Sequence, residues 1–180
     1  MFHRRSMRAG TAALLFAFGL DQLTKWLIAA VVMQPPRVIT ITPFFNLTFG
    51  RNSGISFGLF AGGAEAGRWA LTAVTLAIVV GLLVWLSRAE RRWLAVALGL
   101  VTGGALGNIL DRIRHGAVTD FLDFHLAGWH WPAFNLADSA IFMGAAFLLL
   151  DGLLDGRRAA RRADSDLEAG STARSNSNGS

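Results

Sequence analysis

The sequence predicts an all-α membrane protein: four transmembrane helices with a small β platform on one side of the bilayer. Three observations carry that expectation. Hydrophobic residues make up 53% of the 180-residue chain and charged residues only 16%, with a mean hydropathy of +0.43; such values suit a membrane-spanning chain better than a water-soluble domain. Four apolar runs, near residues 9–33, 68–87, 93–113 and 134–154, each reach the roughly 20 residues a helix needs to cross the hydrocarbon core. Arginines gather at alternate connections: RRSMR before the first run, SRAERR between the second and third, GRRAARR after the fourth. By the positive-inside rule, both termini and the short central loop face the cytoplasm and the two longer connections face outward. The net charge of +5 therefore reflects topology and not a nucleic-acid face.

Taken in order, the first run, TAALLFAFGLDQLTKWLIAAVV, follows His3, Arg4, Arg5 and Arg8, the opening of a cleaved secretory signal. Asp21 and Lys25 interrupt it, it continues apolar beyond them, and no A-x-A site closes it, so it reads as a first span. The outer connection 34–67 alternates apolar and polar residues at Val38–Thr42, the period of a half-buried strand, and Asn52–Ser53–Gly54 mark a turn. WALTAVTLAIVVGLLVWL and WLAVALGLVTGGALGNIL form the second and third spans. The connection 114–133 completes the platform, because irregular backbone near lipid must satisfy its own hydrogen bonds. Trp129 and Trp131 within it read as an interfacial anchor. FNLADSAIFMGAAFLLLDGLL is the fourth span. Residues 1–156 thus form one transmembrane domain, and the polar, aromatic-free stretch over 157–180 is expected to be a disordered cytoplasmic tail.

Depth turns this topology into chemistry. At about 1.5 Å per helical residue, Asp21 lies roughly 20 Å beyond Arg8, and Asn108 and Asp111 lie about 24 and 28 Å beyond Arg92. Lys25 is one turn beyond Asp21 on the same face, and Arg112 shares the face of Asn108. Asn135 and Asp138 begin the fourth span from outside, and Asp120 and Asp123 sit just past the third. Apart from Asp151 and Asp155, every acid in or beside a span gathers at one outer level. Carboxylates at that depth mark a functional site by default, against the plainer reading of polar groups that tie helices together. Asp21 and Asp111 each have a cation beside them in sequence. Asp120 and Asp138 have none, and they approach the level from different elements. Asp123 shares the segment of Asp120 and stands as its alternative; in an extended segment both are expected to point the same way.

Two neighbouring carboxylates cannot both ionise easily, so they share a proton. One then takes a proton from water while the other donates to a carbonyl oxygen, which hydrolyses a peptide bond. Other hydrolytic routes lack their residues. There is no cysteine, which removes disulfides and thiolate chemistry; neither GxSxG nor HExxH occurs. His115, His125 and His130 share one outer loop but lack a ligand spacing, so no metal and no cofactor is expected. A proton-coupled carrier would spread ionisable groups through the membrane's depth, and the acids here are stacked at one surface.

DQLTKW (Asp21–Trp26), NSGISFG (Asn52–Gly58), GNILDR (Gly107–Arg112), VTDF (Val118–Phe121) and FNLADS (Phe134–Ser139) resemble, in order and spacing, the bacterial lipoprotein signal peptidases, or signal peptidase II. The resemblance spans about residues 20–150. It implies a multi-pass enzyme of the bacterial inner membrane with both termini cytoplasmic and the β platform and active site on the periplasmic side. It also implies an aspartyl endopeptidase whose substrates are diacylglyceryl-modified prolipoproteins cut just before the lipidated cysteine; apart from the resemblance, the chain is expected to be monomeric. Its partners are then signal peptides and membrane lipid. Carried over position by position, it assigns the catalytic pair to Asp120 and Asp138, so Asp120 is preferred over Asp123. Asn52, Asn108, Arg112 and Asn135 would hold substrate or support the pair. Asp21 and Lys25 take a positioning or stabilising role, with Gly54 and Asp111 as further structural positions. Ile55 and Ser56 stand where the family often shows small residues such as alanine.

Overall fold

The computed structural model describes residues 2–54 and 63–177, with side chains over 4–54 and 65–156. Ile55 and Ser56 lie outside the described residues. The elements in chain order are α1 (Phe2–Leu27), continued by a π-helical turn at Ile28–Val32, then β1 (Ile39–Thr42), β2 (Phe45–Asn52), α2 (Gly63–Arg88), α3 (Arg92–His115), β3 (Val118–Leu126), β4 (Trp129–His130) and α4 (Leu136–Ser177). The four helices carry apolar stretches long enough to cross a membrane, at Arg4–Val32, Glu65–Arg88, Arg92–His115 and Leu136–Gly156. Helical backbone runs on to Ser177, where a disordered tail was expected from residue 157; alanine and arginine, both good helix formers, fill that stretch.

α3 is the central helix: 61% of its apolar stretch is buried, against 22% or less for the other three. Its small residues explain why. Gly103 and Gly107 face α1 one turn apart, and a Cβ at either would collide, with the Leu14 carbonyl and with the Asp21 carboxylate respectively. Ala97 and Val101 in turn press against Gly144 of α4. Lipid tails give helices no hydrophobic reason to associate, so backbones approach through such small residues and gain dispersion contacts instead.

The two longer connections build a four-stranded antiparallel sheet in the order β1-β2-β3-β4. The alternation at 38–42 foretold β1. The longer strands were less visible, because β2 carries a bulge between Leu47 and Gly50 and β3 is buried along most of its first half. Ile28, Met33 and Phe121 form the core beneath the sheet, with Ile39, Leu47 and Leu136 packed on them. α3 passes into β3 through Gly116, whose left-handed φ of 75° lets its N–H reach the Arg112 carbonyl, a common helix stop. Phe134 is then bound to β3: the N–H groups of Phe121 and Leu122 donate to its carbonyl at 3.1 and 2.9 Å, and its own N–H donates to Leu122 at 3.1 Å. That junction brings the start of α4 beside β3.

Candidate active site

Asp120 and Asp138 meet through Asn135. The Asn135 side-chain amide donates to Asp120 Oδ1 at 2.7 Å, and its backbone N–H donates to Asp138 Oδ2 at 3.1 Å. The second contact belongs to a reciprocal cap, since the Asp138 N–H donates back to Asn135 Oδ1 at 3.0 Å. Asn135 therefore caps α4 while its amide turns toward β3. Two more amides complete the layer: Asn52 donates to Asp120 Oδ2 at 2.9 Å and Asn108 to Asp138 Oδ1 at 2.8 Å. The strand register explains Asn52. It opposes Val118, so its side chain reaches diagonally to Asp120 two residues on. Burial pushes the Asp120 carboxyl above the ordinary carboxylate range, the Asp138 charge adds to this, and the amides of Asn52 and Asn135 pull part of it back.

Beneath lies a second layer of acids, and it contains a cation. Lys25 Nζ sits 2.9 Å from Asp21 Oδ2 and 3.2 Å from Asp111 Oδ2, and donates to Asn108 Oδ1 at 2.9 Å. The three ammonium protons have three partners. The remaining carboxylate oxygens take backbone donors or an amide. Asp21 Oδ1 accepts the Ala137 N–H at 3.0 Å and Asp111 Oδ1 the Gln22 amide at 3.5 Å, while Asp111 Oδ2, already beside Lys25, also accepts the Thr119 N–H at 3.0 Å. Gln22 bridges Asp21 and the Gly107 carbonyl at 3.1 and 3.3 Å. Asp21, Lys25 and Asp111 are almost fully buried. Asn108 joins the layers, taking Lys25 on its oxygen and giving its amide to Asp138.

Asp123 does not share the position of Asp120. The two are three residues apart, an odd separation, and a strand sends odd neighbours to opposite faces; the expectation that they point together is corrected. Asp123 accepts the Asn46 amide at 3.0 Å and lies 2.8 Å from His130 Nδ1. Burial acts to raise its carboxyl, but Asn46 and His130 outweigh that and hold it below the ordinary range. Arg112, expected beside the pair, lies within the field of Asp138 and Asp120. Its Nη1 reaches the Asn108 carbonyl at 3.4 Å, while its buried Nε has no hydrogen-bond partner among the described residues. Gly54 closes over it: with a φ of 73° its N–H donates to Asn52 Oδ1 at 2.9 Å, and a Cβ there would lie 3.4 Å from Arg112 Nη2.

Sequence reasoning passed over Gln22 and Asn46. Gln22 was visible, standing inside DQLTKW beside Asp21. Asn46 carried no signal until the pairing of β2 with β3 set it opposite Asp123. The histidines separate: His115 lies 4.0 Å from Asp111, while His125 and His130 stack with centroids 4.9 Å apart. Among the described residues no group of three or more His, Cys, Asp or Glu is arranged to hold a metal ion.

Fold and site together define a class: a multi-pass membrane protein with two unlike layers of acids at one end of its bundle. Comparison with known proteins places it further. The family profile for signal peptidase (SPase) II matches residues 13–154. A lipoprotein signal peptidase of Methylorubrum extorquens (strain PA1) is 48% identical over 158 residues, covering 86% of this chain and 91% of that protein. Another, of Alteromonas mediterranea (strain DSM 17117 / CIP 110805 / LMG 28347 / Deep ecotype), is 41% identical over 157 residues, covering 86% of each. A solved structure described as a bacterial membrane enzyme, determined by the in meso method at 2.3 Å resolution, superposes with a TM-score of 0.69 at 30% identity, covering 82% of this chain and 88% of that one. The chain belongs to the lipoprotein signal peptidase family, multi-pass inner-membrane proteases of lipoprotein processing.

Proposed function

We propose that the chain is an intramembrane aspartyl endopeptidase that removes the signal peptide from diacylglyceryl-modified prolipoproteins, hydrolysing the bond before the lipidated cysteine. One observation carries the catalytic assignment: a single residue, Asn135, holds Asp120 with its side chain and Asp138 with its backbone. Two carboxylates gripped by one residue, with only amides as direct partners, suit a pair that shares a proton. The ionised member takes a proton from water as the water attacks the scissile carbonyl. The protonated member donates to the carbonyl oxygen, and the resulting diol collapses with proton transfer to the leaving amine.

The surroundings suit such a substrate. An apolar groove of about 450 Å³ flanks Asp138, lined by Trp131, Phe134, Ser139, Phe142 and Met143, where the lipid-bearing end of a peptide can lie. Arg112 lies within the field of Asp138 and Asp120, where its charge can steady the carbonyl oxygen of a bound peptide. Both termini are cytoplasmic in this reading, so the Asp120–Asp138 layer opens toward the periplasm and its water.

The test takes Asp120→Asn and Asp138→Asn separately, each purified and incubated with diacylated prolipoprotein in detergent. Each variant should fold like the parent and cleave at least about 10³-fold more slowly. Cleavage at the parent rate by either variant refutes the assignment.

A further inference from the structure

The arginine-rich end of the bundle, far from Asp120 and Asp138, carries open surfaces that proteolysis does not use. There α1 is tied to the residues just ahead of α3, the Ser6 hydroxyl donating to the Glu90 carbonyl. Around that joint lies a pocket of about 720 Å³ lined by Arg5, Ser6, Arg8, Glu90, Arg91 and Arg92. Arg91 is engaged, its Nη1 lying 3.0 Å from Asp151 and 2.6 Å from Asp155. Arg5, Arg8 and Arg92 make no ion pair among the described residues. Three guanidinium groups without a carboxylate partner, against the single Glu90, leave the pocket electropositive.

Two apolar grooves depart from it. Arg8 also borders a groove of about 490 Å³ that follows one stripe of α1 through Met7, Thr11, Ala12 and Leu15. Arg92 also borders a groove of about 400 Å³ with Trp93, Val96 and Phe147. From Arg4 to Leu15 the first groove follows about 16 Å of helix, close to the depth of one leaflet's hydrocarbon, half of about 30 Å. One basic pocket with two apolar grooves is the outline of a diacyl lipid with an anionic head.

We infer that this end is a binding site for one anionic glycerophospholipid, its phosphate among Arg5, Arg8 and Arg92 and one acyl chain in each groove. Guanidinium forks match phosphate oxygens bidentately, and basic pockets between spans at the cytoplasmic face suit such headgroups. In the orientation proposed above, the lipid comes from the inner leaflet. It would brace the joint between α1 and α3 from the side opposite the acids.

Native mass spectrometry of the purified full chain tests this, with phosphatidylglycerol or phosphatidylcholine of identical acyl chains added back after delipidation. One phosphatidylglycerol should be retained, at least about tenfold more tightly than phosphatidylcholine. Arg8→Gln with Arg92→Gln should weaken retention about 30-fold, whereas Arg88→Gln, in the last turn of α2, should leave it unchanged. Ala12→Trp, which fills one groove and keeps every arginine, should weaken retention as well. Equal retention of both lipids, an unaffected Arg8/Arg92 variant or an unaffected Ala12→Trp variant each overturns the site. So does displacement of phosphatidylglycerol by millimolar inorganic phosphate, which marks a site reading phosphate alone. Retention is measured without peptide substrate, so its failure leaves the peptidase reading standing.

Discussion

The two acid layers at the sheet end of the bundle are joined by Asn108, yet they are built on opposite electrostatic terms. In one, Asp21 and Asp111 share the ammonium of Lys25. In the other, Asp120 and Asp138 are held by three asparagines, and among the described residues no cation touches them. A buried ion pair fixes geometry because removing one partner strands the other's charge. An amide fixes geometry too, but without cancelling the carboxylate's charge. In the proposed mechanism the ion-paired layer serves as the foundation and the amide-held layer does the chemistry.

Experiments can break that contrast in order of expected effect. The largest belongs to the amide-held layer, where Asp120→Asn or Asp138→Asn removes at least about 10³-fold in cleavage rate and leaves the fold intact. In the ion-paired layer the loss falls on stability. Lys25→Met strands two buried carboxylates and should cost about 3–5 kcal/mol in a denaturation assay in detergent. Adding Asp111→Asn to it should restore part of that, because one charge fewer is then left uncompensated. Gly107→Ala pushes a methyl into the Asp21 carboxylate and should destabilise by about 1–3 kcal/mol, with activity falling through the shifted layer.

Smaller effects sharpen the contrast through pH. The Asp120 carboxyl is raised chiefly by burial, and the Asn52 amide works against that rise. Removing that donor with Asn52→Ala should raise the carboxyl further, so the alkaline limb of the cleavage profile moves to higher pH while the rate falls about tenfold. An unmoved limb would mean that Asp120 does not carry the shared proton. The smallest effect lies at Asp123, whose lowered pKa adds stability above its unfolded value, lost as pH falls through the folded one. His130 is half exposed, so His130→Ala should cost at most about 1 kcal/mol at neutral pH and nothing in strong acid.

Much of this was legible in the sequence, for identifiable reasons. Span lengths, the arginine bias and the common level of the acids follow from sequence position, helical rise and hydropathy alone, and four apolar helices with a small sheet are what the structure contains. The i,i+4 spacing of Asp21 and Lys25 foretold their contact, but not that Asp111 would share the ammonium, because that depends on Gly107 letting α1 and α3 close together. A period of two already sets Asp120 and Asp123 on opposite faces of a strand; what no local pattern supplied is the register of β2 on β3, which gives each acid a different asparagine. Asn135 reads in FNLADS as an ordinary helix cap. Its second contact, across to β3, exists only because Phe134 is bound there, and no local pattern announces a long-range bridge.

That bridge also decides how the molecule meets bilayers of unequal thickness. A helix tilts to match the hydrocarbon slab around it, at a cost of a fraction of a kcal/mol per Å. α4 is held at both ends, by Phe134 on β3 just ahead of its first turn and by Arg91 on Asp151 and Asp155, and Gly144 is packed against α3 between them. A change in lipid length is therefore expected to tilt α3 and α4 together, which leaves the geometry around Asp138 undisturbed.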